Sequence, residues 1–170
     1  GSSSQHPLVR LGAAGLQRAG TSQALDTEAL TEWLARRCKM PYLRIDPLKA
    51  DVGRVADVMS VHYAESRCAL PVQMNSHDVV IATAEPFQRD WEAEMRPILR
   101  KDIRRVISNP EDILRYQVEF YNLAKFIKGA LDKGDVAGGA SNFEQLVELG
   151  KSNKQFDAND QHIVRLVDWL

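Results

Sequence analysis

The chain has 170 residues, with Lys+Arg 22 against Asp+Glu 23 and a net charge of -1, which excludes a global field that would draw nucleic acid or acidic lipid. A hydrophobic fraction of 44% and 26% charged residues fit one soluble domain of ordinary size plus extensions. No apolar run approaches the ~20 residues of a membrane span, and two cysteines, Cys38 and Cys68, are too few for a disulfide framework, so a reduced, cytoplasmic protein is expected.

Gly1-Ser2 reads as a cloning scar, and Ser2 to Ala24, rich in Ser, Gly, Ala and Gln, as a weakly ordered arm or a frayed helix. Asp26 or Thr27 then caps a helix carrying Leu30, Trp33, Leu34 and Cys38 on one face, which predicts a largely buried Trp33. Arg36 and Arg37 sit at its negative end, and Pro41 stops it. Tyr42 to Ile45 alternates like a short strand. Asp51 opens a helix with Val52, Val55, Ala56, Met59 and Tyr63 on its apolar face.

Ala69 to Met74 and Val79 to Thr83 flank the polar stretch Asn75-Ser76-His77-Asp78 and predict a β-hairpin. A helix is expected from Glu85-Pro86-Phe87, with Trp91 and Met95 one turn apart and Pro97 near its end. Ile103 to Ile107 reads as a strand. Asn109-Pro110-Glu111-Asp112 combines a cap, proline at the first helical position and two carboxylates over the positive end. The helix it opens carries Ile113, Leu114, Val118, Tyr121 and Ile127 and is expected to end near Lys125 and Lys128. The fold class is therefore α+β: an N-terminal helix, then a βαββαβα domain with a small sheet covered by helices.

Gly129, Gly134, Gly138, Gly139 and Ser141 mark a flexible linker, with ten residues from Asp132 to Ser141 spanning roughly 17 Å as a coil. Beyond it lie a short apolar segment, Phe143 to Leu149, and a greasy helix from Asp157 to Leu170 with nothing downstream to bury it, as in a truncated second domain. The expected divisions are 1–23 for the tag and arm, 24–131 for the main domain, 132–156 for the linker with its short helix, and 157–170 for the start of the second domain.

Few motifs carry chemistry. Gly150-Lys151-Ser152 resembles the end of a phosphate-binding loop, but the glycine required five residues before is Gln145, so a turn after a short helix is expected and ATP is not. His62, His77, Cys38 and Cys68 miss zinc spacings, and nothing local activates either thiol, so neither a metal site nor a catalytic residue is expected. Asp90, Glu92 and Glu94 decorate one helix, while Glu111 and Asp112 answer the dipole of the helix opened at Asn109-Pro110, leaving no sign of a converging acid pair. The basic run Arg100-Lys101-Asp102-Ile103-Arg104-Arg105 lacks the aromatics of a nucleic-acid site, but its alternating Arg104 and Arg105 are candidates for a protein partner. Arg10-Leu11-Gly12 has a chemical use of its own: arginine can stack on and hydrogen-bond a guanine, and glycine admits backbone close to a phosphate.

Several passages resemble one family in the same order. Leu34-Ala35, Met40-Pro41-Tyr42-Leu43 and Asp46-Pro47 are similar to the helix-Pro-Tyr-strand passage of the general secretory pathway protein E family, the type II secretion and type IV pilus-extension ATPases. Leu70-Pro71-Val72 to Val79-Val80-Ile81-Ala82 and Ala84-Glu85-Pro86 resemble its next passage, where the family usually has Asp-Pro. Phe143-Glu144-Gln145-Leu146 and Asp160 to Leu170 look like the lead-in to its second domain. The resemblance implies an N-terminal adaptor that docks a hexameric motor on the cytoplasmic domain of an inner-membrane platform protein, peripheral to the bacterial inner membrane. ATP and magnesium would belong to an ATPase core absent from this chain, which itself would have no activity.

Some relatives bind cyclic di-GMP through two copies of a motif beginning Arg-Leu-Gly. Arg10, Leu11 and Gly12 match that start, whereas Gly20 falls one residue late, Leu30 is displaced and a matching glutamine is missing. Only nine residues precede Arg10, too few for a first copy. A cyclic di-GMP sensor within a related ATPase is the alternative reading.

Overall fold

The computed structural model describes residues 5–134. The expected scar at Gly1-Ser2, the Gly138 to Ser141 part of the linker, the Phe143 to Leu149 segment, the Gly150 turn and the final helix lie outside them. The chain divides between Phe126 and Ile127 into two units, and the packing below is that of the first.

The N-terminal arm carries a short helix and a turn. Helix α1 (Pro7–Ala13) has proline in its first turn and a capping His6 whose Nδ1 accepts from the Leu8 amide at 3.2 Å, with Leu8 buried. Gly15 and Gly20 then take positive φ, 69° and 77°, and fold the chain back so that the Leu25 amide meets the Leu16 carbonyl at 2.8 Å.

Helix α2 (Thr27–Arg37) starts as expected, with Asp26 accepting from the Ala29 amide at 2.8 Å. Its buried line is Thr31 and Ala35, however, and Trp33 is 55% exposed. The small pair lets α2 lie close on its neighbours, and Trp33, two residues from each, projects about 200° around the helix. Large side chains set the expected face; small ones set the real one.

The Tyr42 to Ile45 strand shrinks to one parallel bridge between Tyr42 and Ile107. The Leu43 amide donates to the Ile107 carbonyl and the Ile107 amide to the Pro41 carbonyl, each at 2.8 Å. Pairing stops there because its partner strand ends at Ile107, where the next residues open a helix.

The single helix expected after Asp51 is three pieces: a 3₁₀ turn Val52–Arg54, α3 (Val55–Val58) and α4 (Val61–Arg67). Met59 is extended between them and Ser60 caps again, accepting from the Tyr63 amide at 3.3 Å. Asp51 serves the sheet rather than the helix: its carboxylate accepts from the Met74 amide at 3.1 Å.

The sheet is β1 (Ala69–Met74), β2 (Asp78–Thr83) and β3 (Asp102–Ile107), in that order, with β1–β2 antiparallel and β2–β3 parallel. The expected hairpin is present, its turn held by Asn75 Oδ1 accepting from the His77 and Asp78 amides at 2.8 and 2.7 Å. A bulge at Val72 follows Pro71, which has no amide to give the ladder; the Val72 carbonyl instead accepts from the Asp51 amide at 2.8 Å. The crossover is α5 (Asp90–Leu99), which starts later than Glu85-Pro86-Phe87 because those residues form a turn. Trp91 and Met95 are buried as expected.

The last helix, α6 (Pro110–Gly134), opens at the expected cap, where Asn109 Oδ1 accepts from the Glu111 amide at 2.9 Å. It runs past Lys128 and Gly129, so residues 132–134 of the expected linker are helical; one helical glycine costs only about 1 kcal/mol. Its buried line is Ile113, Tyr116, Gln117, Phe120, Tyr121 and Ala124, while Leu114 and Val118 are exposed. The architecture is α+β, a three-stranded sheet with helices around it.

Candidate functional site

An open groove of about 900 Å³ lies where the folded-back N-terminal segment passes α2. Leu11, Leu25, Leu30 and Trp33 give its lining an apolar part, and Arg18, Arg36, Arg37 and Lys39 add cations to the same lining. Glu32 is the acid in the lining, and it stands 3.7 Å from Arg36 in an exposed pair. Arg18, Arg37 and Lys39 have no ion pair among the described residues. A groove lining that combines a tryptophan and leucines with three cations free of ion pairs among the described residues suits an anion with a flat, hydrophobic part.

The Arg10-Leu11-Gly12 motif divides over this geometry. Leu11 enters the groove, and Arg10 stays exposed on α1 outside the lining. Gly12 is pressed onto the start of α2, where an added Cβ would lie 2.6 Å from the Thr27 amide nitrogen and 2.6 Å from Thr27 Oγ1. Its missing side chain thus lets α1 pack against the start of α2.

Arg104 and Arg105 face different surroundings. Arg104 is exposed and pairs with Asp78 at 3.1 Å. Arg105 turns inward: its guanidinium forms an ion pair with the buried Glu92 and donates to the Pro86 carbonyl at 3.0 Å. Burial lowers the Arg105 pKa, and the Glu92 carboxylate works against that shift. Of the two, Arg104 is the one at the surface.

The remaining candidates are dispersed. Glu94 accepts from the Tyr63 hydroxyl at 2.7 Å, and His62 and His77 are exposed. Among the described residues no group of three His, Cys, Asp or Glu side chains is placed to hold a metal ion, and no helix is long and apolar enough to cross a membrane. Cys68 is partly buried in the turn between α4 and β1, and burial, helped by the Glu85 charge, pushes its thiol up to about 11.

Sequence reasoning missed most of the groove. Arg36 and Arg37 read as partners of the helix dipole, Trp33 as core, and Arg18 lay in the arm. The available signal was Trp33 followed by Arg36 and Arg37, which puts aromatic and cations on one strip of helix.

Comparison with known proteins places the domain. Residues 38–126 match the MshEN domain. The chain is 36% identical over 167 residues to the type IV pilus assembly ATPase TfpB of Acinetobacter baylyi, and the match covers 97% of this chain and 28% of that protein. A solved structure of MshE with cdg is similar at a TM-score of 0.48 and 18% identity, covering 55% of this chain and 67% of that one. A second, of the N-terminal domain of XpsE, aligns at a TM-score of 0.39 and 12% identity, over 64% and 81% of the two chains. With the family match spanning the sheet and its helices, the chain belongs to the MshEN domain family, the N-terminal domains of secretion and pilus-assembly ATPases.

Proposed function

We propose that this domain is a sensing module of a type IV pilus-assembly or type II secretion ATPase, and that the groove beside α2 is its receptor site for cyclic di-GMP. One observation carries the reading: Trp33 and three leucines line one groove together with Arg18, Arg36, Arg37 and Lys39. A cyclic dinucleotide offers the matching parts, two flat bases and two phosphates. Calorimetric titration of the chain with cyclic di-GMP is the test. Saturable binding is expected, weakened roughly tenfold or more in Arg37→Ala through loss of a charge-assisted contact. Absence of heat at millimolar ligand would overturn it.

A second reading, an adaptor docking the motor on the cytoplasmic domain of an inner-membrane platform protein, is favoured by a different face. Leu114 and Val118, 52% and 58% exposed, lie one turn apart on α6, as an apolar contact for a protein would. The chain spans 28% of the TfpB relative, and ATP, magnesium and the hexamer would belong to the rest of such a protein. On this reading the domain is cytoplasmic and reaches the inner membrane through its partner. Co-purification with the platform protein's cytoplasmic domain, lost in Leu114→Asp/Val118→Asp, is the expected outcome; retained binding would move the docking surface elsewhere.

A further inference from the structure

Resting on the reading of the groove as a cyclic di-GMP site, we infer that Trp33 is the stacking platform for one guanine base and that Arg37 holds the adjoining phosphate. Trp33 is 55% exposed. A single exposed hydrophobic is ordinary on a protein surface, but this one shares a concave wall with Leu11, Leu25 and Leu30. Its indole takes part in no ring or guanidinium contact among the described residues, so no aromatic or guanidinium group stacks on it there. It also contributes nothing to the buried line of α2, which is Thr31 and Ala35.

The cations follow from helix geometry. Arg36 and Arg37 stand three and four residues after Trp33, so both flank the indole on the same strip of α2. Arg36 is partly engaged by Glu32 at 3.7 Å. Arg37 has no ion pair among the described residues, and its guanidinium can take two phosphate oxygens at once. A base lying on the indole places its phosphate beside this side chain. About 900 Å³ falls within the range of a single small-molecule site, so one copy of the dinucleotide per chain is expected.

The test titrates cyclic di-GMP into the full chain, Trp33→Leu and Trp33→Phe, reading affinity by calorimetry and indole emission by fluorescence. Base–aromatic stacking predicts binding roughly 10- to 100-fold weaker in Trp33→Leu, with most affinity kept in Trp33→Phe. Ligand should change the emission of the wild-type chain and leave that of Trp33→Phe unchanged. Because Trp33 is exposed, all three chains should melt at closely similar temperatures, which separates lost stacking from lost folding. Equal affinity in wild type and Trp33→Leu would overturn the role of Trp33 while leaving the groove as the ligand site. No binding by the wild-type chain would remove the site itself, and the platform with it.

Discussion

The Tyr121 hydroxyl donates to the Met59 carbonyl at 2.8 Å across 62 residues of sequence, and both residues are buried. Met59 is where the helical run after Asp51 breaks, so its carbonyl has no helical partner and α6 supplies one. One turn back, Gln117 Nε2 donates to the Ala64 and Ala69 carbonyls at 2.8 and 2.9 Å, holding the ends of the turn where Cys68 takes a left-handed φ of 47°. Two polar side chains on one helix thereby bond backbone carbonyls at the break and at the turn, the Ala64 carbonyl also accepting from the Cys68 amide.

Tyr121→Phe removes the donor and strands the buried carbonyl, so it should cost about 1–3 kcal/mol of unfolding free energy. Urea denaturation followed by circular dichroism checks this. An unchanged midpoint would mean that water replaces the hydroxyl.

Arg105 and Arg104 should separate cleanly. Arg105→Ala leaves the buried Glu92 with only its longer pair to the exposed Arg89, at 3.6 Å, and should cost about 3 kcal/mol, the lower end for breaking a buried pair, whereas Arg104→Ala, at a surface pair with Asp78, should stay within about 1 kcal/mol. Thermal melts of both variants decide. A stable Arg105→Ala chain would mean that Arg89 alone suffices to hold Glu92.

Gly12→Ala introduces a Cβ 2.6 Å from the Thr27 amide nitrogen, a backbone atom that cannot swing away. The expected cost is about 1–3 kcal/mol, with faster amide exchange in α1 and at the start of α2. Exchange confined to wild-type rates would show that the two helices can part without loss.

Cys68 links stability to alkaline pH. Its folded pKa of about 11 lies above the ordinary 9.0, so the unfolded chain loses this proton first. The contribution is whole below about pH 9 and is lost as pH rises through about 11. Cys68→Ala should flatten the decline of melting temperature over that window. At pH 8, Cys68 should react with a thiol reagent roughly a hundredfold more slowly than an ordinary thiol of the same exposure, through its smaller thiolate fraction. Mass-resolved alkylation measures that ratio.

What the sequence made legible was local. The Asn75 turn, the two apolar runs that became β1 and β2 and the Asn109-Pro110 cap rest on neighbours in the chain, and each stands where expected. The break at Met59 was hidden because its compensation comes from Tyr121. The burial of Thr31 and Ala35 over Trp33 depends on how closely α2 approaches its neighbours, which periodicity does not encode. The site followed the same rule: Leu11 belongs to a recognisable motif, but the cations around it come together only once Gly15 and Gly20 turn the arm back.

The two α6 side chains that reach the Met59 and Ala64–Ala69 region set an order of events during synthesis. As the nascent chain leaves the ribosome, residues 59 to 69 emerge about fifty positions before Gln117 and Tyr121, and until these arrive the Met59 carbonyl lacks its α6 donor and the Ala64 carbonyl has only the Cys68 amide. The hairpin's entry is thus the last joint to tighten, and a chain stalled before residue 117 would present β1 as an unfastened edge open to other strands.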